Sequence, residues 1–142
     1  MTGTTAAPAY LDPHRTVDER VADLLGRMTL AEKVGQMLQL DAQEGVRYAI
    51  EDLHAGSLVH TSPDDVALVH ALVERSRLRI PVLVAEDCIH GHAFWPGATV
   101  FPTQLAMAAT WDPGLVERVA RVTAVEAAAT GVHWTFSPVL CV

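Results

Sequence analysis

Three short apolar stretches alternate with two helical segments, and this alternation constrains the fold more than any other feature of the 142-residue chain. The stretches cover residues 55–60, 80–85 and 132–140. The middle stretch is apolar on both faces, as strands of a parallel sheet must be when helices cover them. Strand, helix, strand, helix, strand at this spacing predicts a βαβαβ arrangement with right-handed crossovers and a parallel sheet.

Capping residues mark where the two crossover helices begin and end. Ser62 is followed by Pro63, and Asp112 is followed by Pro113, so each helix is expected to have a side-chain cap and proline at its first position. Gly131 is placed to end the second helix in a left-handed turn.

Two further helices are expected before the first strand. Thr16 with Glu19, and Thr29 with Glu32, have the spacing of capping boxes. Apolar residues follow each box at helical spacing, and the second helix is predicted to continue through Leu38. The pattern is typical of an amphipathic helical hairpin that has a packing role and carries no chemistry.

Composition excludes several classes of protein. Half of the residues are apolar and 19% are charged, which is not the composition of a disordered chain. Ten basic residues against seventeen acidic ones give a net charge of −7, opposite in sign to that of a typical nucleic-acid binder. The sequence has no apolar run of about 20 residues, so no membrane partner is expected.

The first fifteen residues are small and polar and are predicted to be a flexible lead-in. They lack the basic start and the continuous apolar stretch of a secretory signal, which favours a cytoplasmic location. The two cysteines, Cys88 and Cys141, match neither a disulfide framework nor a C-x-x-C motif, so they are interpreted as free thiols.

The predicted sheet ends almost at the last residue of the sequence. A three-stranded parallel sheet leaves bare edges and one poorly covered face. We therefore predict that residues 16–142 form an incomplete β/α barrel, with about three βα units preceded by the two helices.

The loop after the second predicted strand carries most of the polar residues, and parallel α/β folds bind ligands at this end of their strands. Asp87 is suited to accept two hydrogen bonds from neighbouring sugar hydroxyls, and Trp95 to lie against the apolar face of a pyranose. His92 is a weaker candidate in the same loop. A loop cap or a pairing with arginine is an equally good interpretation of Asp87 or Glu86 from the residues alone.

Other reactive side chains favour structural interpretations. His90 and His92 have no third ligand at an evident spacing, so a metal site is the minor alternative. Cys88 is interpreted as a buried, inert thiol, because no histidine has the register of a catalytic partner. Glu126 and His133 are expected to be satisfied core or surface groups. Since adjacent strand residues point to opposite faces, Glu86 and Asp87 are not expected to face one reacting centre.

Five ordered segments of the sequence resemble the start of glycoside hydrolase family 3 enzymes of the β-glucosidase type; they cover residues 20–37, 80–92, 96–102, 109–113 and 134–140. The resemblance implies an N-terminal β/α barrel of the TIM type. It also implies a parent enzyme that hydrolyses terminal, non-reducing β-linked sugars of a glucoside or oligosaccharide by a retaining mechanism. Asp87 matches the aspartate of the family that binds hydroxyls of the non-reducing sugar.

In the family, the nucleophilic aspartate and the acid/base glutamate come later in the chain than the last segment matched here. The resemblance therefore assigns no catalytic residue to this sequence, and it predicts that the chain alone is inactive, with no cofactor and no metal. Two alternatives stay open: a stand-alone, non-catalytic carbohydrate-binding or assembly module, and a metal-dependent hydrolase built on His90 and His92. Neither the preferred sugar nor the oligomeric state follows from the sequence.

Overall fold

A computed structural model describes residues 7–139, in which four parallel strands form one sheet in the order β1-β2-β3-β4. The strands are β1 (Gln39–Asp41), β2 (Ser57–Val59), β3 (Leu83–Glu86) and β4 (Trp134–Thr135). The register places Leu40 beside Leu58, and Leu58 beside Val84. The predicted parallel α/β architecture is confirmed, but the sequence predicted three strands and the sheet has four.

The described residues also form five α-helices: α1 (Val17–Arg27), α2 (Leu30–Gly35), α3 (Pro63–Arg75), α4 (Gln104–Ala108) and α5 (Pro113–Ala129). All the predicted caps form. Thr16 and Thr29 complete capping boxes, Ser62 does so with Asp65, and Asp112 accepts from the amide of Leu115. Gly131 has the positive φ that ends the last helix.

The strand that the sequence analysis missed, β1, lies where α2 was predicted to continue. Helix α2 ends at Gly35, which packs so closely against the segment before β2 that a Cβ there would overlap the carbonyl oxygens of Leu53 and His54. Two tight turns follow, and the carbonyl oxygen of Leu38 then accepts from the amide of Ser57 in the next strand. A strand of three residues is too short to show a period of two, and for that reason pattern alone did not reveal it.

The connection from β1 to β2 contains a 3-10 turn at Ala42–Glu44 and a π-helical turn at Tyr48–Asp52. Ala49 and Ile50 of the π-helical turn are buried and belong to the main core, together with Leu58 of β2 and Leu72 of α3. A second apolar cluster joins β3 to α5 and contains Val84, Cys88, Ala127 and Val132. The core thus fixes β2 and β3, the two central strands.

Helices α1 and α2 have the predicted amphipathic spacing, but their apolar side chains are not buried. Val17 is 71% exposed, Leu30 is 78% exposed, and no residue of α1 is buried. The prediction of a packing pair was therefore correct in helix type and wrong in burial. No helix within residues 7–139 is both long and apolar enough to cross a membrane.

Residues 7–15 of the predicted lead-in form hydrogen bonds with the rest of the domain, and residues 1–6 lie outside the described part of the chain. The Tyr10 hydroxyl donates to the carbonyl oxygen of Leu78 at 3.0 Å, and the Tyr10 amide donates to the Asp23 carboxylate at 3.0 Å. The Arg20 guanidinium donates to the Tyr10 carbonyl oxygen. Tyr10 joins the lead-in to α1 and to the segment before β3.

The last predicted strand is also shorter than expected, since β4 has two residues and Cys141 lies outside the described residues.

Candidate functional site

Four polar side chains meet at the carboxyl ends of the first three strands, β1, β2 and β3. Asp41 is the last residue of β1, His60 follows the end of β2, and Glu86 and Asp87 lie at and just after the end of β3. Parallel strands bring their carboxyl ends to one edge of the sheet, and the register of β1, β2 and β3 aligns these positions. We call these four residues the strand-end cluster.

His60 is the centre of the strand-end cluster. Its Nδ1 atom lies 2.9 Å from Oδ2 of Asp41, and its Nε2 atom lies 4.0 Å from both Oε1 of Glu86 and Oδ2 of Asp87. The backbone of His60 has a φ of 57°, a left-handed conformation that turns the chain sharply as it leaves β2. Phe94 packs beside the ring at a centroid distance of 5.5 Å.

Charge and hydrogen bonding raise the pKa of His60. The hydrogen bond that His60 donates to Asp41 raises the pKa of the imidazole above its ordinary value, and the nearby carboxylates of Glu86 and Asp87 act in the same direction against the opposing effect of burial. The same hydrogen bond lowers the pKa of the Asp41 carboxyl. The ring is therefore held in one orientation by Asp41, with Nε2 facing the other two carboxylates.

Glu86 and Asp87 approach the same atom of His60, contrary to the expectation that they point apart. Glu86 is 1% exposed, and its Oε1 accepts from the backbone amide of Asp87 at 2.9 Å. The alternation of side chains holds only within a strand, and the chain leaves the strand after Glu86. The Asp87 side chain is 38% exposed, so of the two carboxylates it is the one open to a ligand.

The loop after β3 is held in place by hydrogen bonds between its two sides. His90 Nδ1 lies 2.8 Å from the carbonyl oxygen of Phe101, and the amide of Phe101 donates to the carbonyl oxygen of His90 at 2.7 Å. Glu126 of α5 accepts from both the amide and the hydroxyl of Thr99. Glu126 was predicted to have a structural role, and these contacts show what that role is: its carboxylate fixes the far side of this loop.

His92 lies inside the protein beneath Trp95. It is 1% exposed; its Nε2 is 2.9 Å from the Thr130 hydroxyl, its Nδ1 is 3.4 Å from Cys88 Sγ, and its ring stacks on Trp95 at 5.5 Å. Burial lowers the pKa of His92. Both ring nitrogens are thus engaged with protein groups, and the side chain positions Trp95 from below.

Cys88 does have a histidine neighbour, which the sequence analysis did not anticipate. The two residues are four apart in the sequence, and the irregular loop brings the Cys88 thiol to His92. The thiol is buried, and burial raises its pKa, so it stays protonated and poorly nucleophilic. The predicted inert character of Cys88 agrees with this environment.

Asp41 and His60 are the members of the strand-end cluster that sequence reasoning missed. His60 was placed within a predicted strand, and Asp41 followed a segment predicted to be helical. The rule that ligands bind at the carboxyl ends of parallel strands singles out His60 once the strand is predicted. Asp41 could not be found in this way, because β1 itself was missed.

Only one group of three metal-ligating side chains occurs among residues 7–139: His60, Glu86 and Asp87, whose nearest ligand atoms lie within 4.8 Å of one another. The pair considered from the sequence, His90 and His92, is engaged elsewhere. His90 Nδ1 meets a backbone carbonyl, and His92 contacts Thr130 and Cys88.

Comparison with known proteins identifies the family of this chain. The sequence profile of the "Glycosyl hydrolase family 3 N terminal domain" matches residues 29–142. A periplasmic beta-glucosidase of Salmonella typhimurium is 34% identical over 130 residues, which is 87% of this chain and 16% of the relative. This chain therefore spans about a sixth of that relative's length.

Solved structures give the same result. A beta-glucosidase involved in saponin metabolism from intestinal bacteria shares 57% identity with a TM-score of 0.72, covering 87% of this chain and 16% of its own. The beta-glucosidase of Listeria innocua in complex with isofagomine shares 35% identity with a TM-score of 0.71, covering 87% of this chain and 18% of its own. The chain belongs to glycosyl hydrolase family 3 and corresponds to a part of the N-terminal domain of that family.

Proposed function

We propose that this chain is the first part of the TIM-type barrel of a retaining, exo-acting β-glucosidase, and that it binds the terminal, non-reducing sugar of a β-glucoside. The observation that carries this proposal is the position of Asp87. Its partly exposed carboxylate follows the central strand β3, within a family 3 N-terminal domain. The beta-glucosidase names of the relatives support the same substrate class.

Asp87 and Trp95 supply two complementary contacts for a sugar. A carboxylate accepts hydrogen bonds from two adjacent hydroxyls, and an indole covers the apolar face of a pyranose ring. Trp95 is half-buried on the ring of His92, which limits its movement. His92 then has a positioning role in place of the direct sugar contact expected from the sequence, because both of its nitrogens are engaged.

The role of such a site is to hold the sugar so that its anomeric carbon faces the reacting groups. Contacts remote from the reacting bond lower the barrier when they strengthen in the transition state or fix the orientation of the substrate. A retaining glycosidase needs two carboxyl groups about 5–5.5 Å apart on either side of the glycosidic bond. Family resemblance assigns those two groups to later segments, so we propose that residues 1–142 alone do not hydrolyse the sugar.

Calorimetry with isofagomine, the compound present in the Listeria innocua complex, tests the sugar site directly. The complete protein that carries this sequence is compared with its Asp87→Asn variant and with Asp52→Asn, which removes the same charge from the exposed end of the π-helical turn. We expect Asp87→Asn to weaken binding at least tenfold, about 1.4 kcal/mol, and Asp52→Asn to leave it unchanged. Equal affinity in all three proteins contradicts the proposal.

Size and activity of the native protein distinguish the enzyme from the binding module. An antibody against residues 16–142 recovers the product from its source cells, and hydrolysis of an aryl β-glucoside is then assayed. A product several times longer than 142 residues that hydrolyses the substrate supports the enzyme. A 142-residue product that binds sugar without hydrolysis establishes the binding module, and hydrolysis by the 142-residue chain overturns the assignment of catalysis to later segments.

A further inference from the structure

Three hydrogen-bond acceptors converge in the strand-end cluster. Carboxylates only accept hydrogen bonds, so the short contact between Asp41 and Nδ1 of His60 requires that Nδ1 carries a proton. The neutral ring then has its lone pair on Nε2, and this lone pair faces the carboxylates of Glu86 and Asp87. Nε2 of His60, Oε1 of Glu86 and Oδ2 of Asp87 are therefore all electron-pair donors around one space, and a positive charge placed there would stabilise all three.

A proton on Nε2 does not fill this space. Nε2 lies 4.0 Å from each of the two carboxylate oxygens, beyond the reach of an N–H···O hydrogen bond, which spans about 2.7–3.2 Å. A bound cation would act differently, because it contacts each ligand at about 2.0–2.2 Å. Since the nearest ligand atoms of the three residues lie within 4.8 Å of one another, an ion equidistant from them would lie at most about 2.5 Å from each, and side-chain movements of a few tenths of an ångström would complete the coordination.

Charge also favours a cation. The cluster holds three carboxylates, and His60 is the only basic side chain in an ion pair with any of them among residues 7–139. Glu86 is 1% exposed, and a buried carboxylate is costly unless a positive group or hydrogen bonds compensate for lost hydration. Its Oε1 has one hydrogen bond from the Asp87 amide, which orients it and leaves capacity for a metal bond.

We propose that His60, Glu86 and Asp87 bind one divalent transition-metal ion of the Zn²⁺ type, with His60 Nε2 and one oxygen of each carboxylate as ligands. Mixed imidazole and carboxylate donors suit this class of ion. Asp41 is a positioning residue for the metal, because carboxylates that accept from the second nitrogen of a ligating histidine fix its tautomer and orientation. Exposure of Asp87 leaves a route for the ion to enter.

The inference goes beyond the proposed sugar site and does not depend on it. Asp87 is shared between the two, so a bound metal ion and a bound sugar exclude one another. The metal then acts as a competitive inhibitor of sugar binding and takes no part in a reaction.

The test is a Zn²⁺ titration by calorimetry on the complete protein that carries this sequence, stripped with a chelator and assayed without sugar. His60→Gln and Asp87→Asn remove single ligands that are partly exposed, so neither variant is expected to impair folding. The matched controls are His70→Gln, on the exposed face of α3, and Asp52→Asn.

We expect one Zn²⁺ site whose affinity falls at least tenfold in each ligand variant and is unchanged in both controls. Asp41→Asn should weaken it by about tenfold, the size typical of a lost partner to a ligating histidine. A Zn²⁺-dependent rise in melting temperature, present in wild type and absent in His60→Gln, should accompany binding. Equal affinity in wild type and His60→Gln overturns the proposal and assigns the cluster to a protonated imidazole alone. Since no sugar is present, that result leaves the proposed glycosidase function intact.

Discussion

The two ends of the sheet differ in how their polar groups are paired. At the amino ends of the strands, the carboxylate of Glu32 accepts from the Arg77 guanidinium and from the Thr29 amide, and the Gln36 side chain donates to a backbone carbonyl. At the carboxyl ends, three carboxylates share one imidazole. The satisfied end closes the fold, whereas the end with surplus acceptors has the chemistry to bind a ligand.

Backbone packing also differs between the amino and carboxyl ends of the strands. Gly35 and Gly56 at the amino ends lie so close to neighbouring backbone that a Cβ on either would overlap carbonyl groups. At the carboxyl ends, close packing occurs in the loop after β3, at Gly91 against Thr99. The contacts of Gly35 and Gly56 join two segments of the core, whereas the contact of Gly91 determines the shape of one loop. Substitutions at the two places should therefore differ in size and in reach.

The largest expected effect is from Gly56→Ala, which tests whether the amino end determines stability. The added methyl group would overlap the backbone of Gln36, and neither chain segment can move without disturbing the start of β2. We expect a loss of about 3 kcal/mol in the free energy of unfolding, measured by urea denaturation. Gly26→Ala on α1 is the matched control: its methyl group meets open space, and it should stabilise the protein by about 0.5–1 kcal/mol. Similar losses of unfolding free energy in Gly56→Ala and Gly26→Ala would contradict the prediction that close packing at the amino end determines stability.

The second prediction concerns Gly91→Ala, which should affect the carboxyl end alone. Gly91 has a φ of 110°, and a methyl group there would overlap the Thr99 carbonyl oxygen. We expect a loss of about 2 kcal/mol, with faster hydrogen exchange confined to the loop and visible at the Phe101 amide. Gly97→Ala also has a positive φ but open surroundings, and it should cost about 1 kcal/mol. Faster exchange throughout β2 and β3 would show that the loop is part of the core.

Local signals in the sequence predicted most of the fold and less of the site. Ser62 and Asp112 fixed the starts of α3 and α5, because a cap is encoded in a few adjacent residues. Helix α2 ends where Gly35 contacts a segment about eighteen residues later, and no local pattern reveals this contact. Strand β1, which ends at Asp41, follows shortly after it in the sequence.

The candidate site shows the same division. Asp87 was predicted from its place after a buried strand and from the family resemblance, and its role in sugar binding stays a prediction. The role of His92 depends on Thr130, which lies 38 residues away on another element, so its burial could not be foreseen. The convergence of Glu86 and Asp87 on His60 depends on where β3 ends, and strand ends are the least certain part of any prediction from pattern.

The third prediction tests the ion pair at the amino end. Arg77 lowers the pKa of the Glu32 carboxyl from 4.5 to about 2, so the pair stabilises the folded protein above pH 4.5, and this stability is lost as the pH falls towards 2. Arg77 is half exposed, which limits the contribution to about 1 kcal/mol. Glu32→Gln keeps the capping box and removes the charge, so it should abolish this part of the acid dependence. The control, Glu19→Gln, makes the same change in the other capping box and leaves the Arg77 pair intact. An unchanged acid profile in Glu32→Gln would show that the ion pair contributes nothing.

The smallest expected effect is from Asp41→Asn, read from the titration of His60 by NMR in a chelating buffer. Asp41 is the main cause of the raised pKa of His60, so the variant should lower that pKa while Asp52→Asn leaves it unchanged. The sign for stability follows from linkage. A raised folded-state pKa stabilises fully below the unfolded value of 6.5, and this stabilisation disappears as the pH rises through the folded pKa. Asp41→Asn should therefore reduce stability more at pH 5.5 than at pH 9. A loss of equal size at both pH values would mean that Asp41 acts through packing alone, and the carboxyl end would then resemble the amino end, with its charges already balanced.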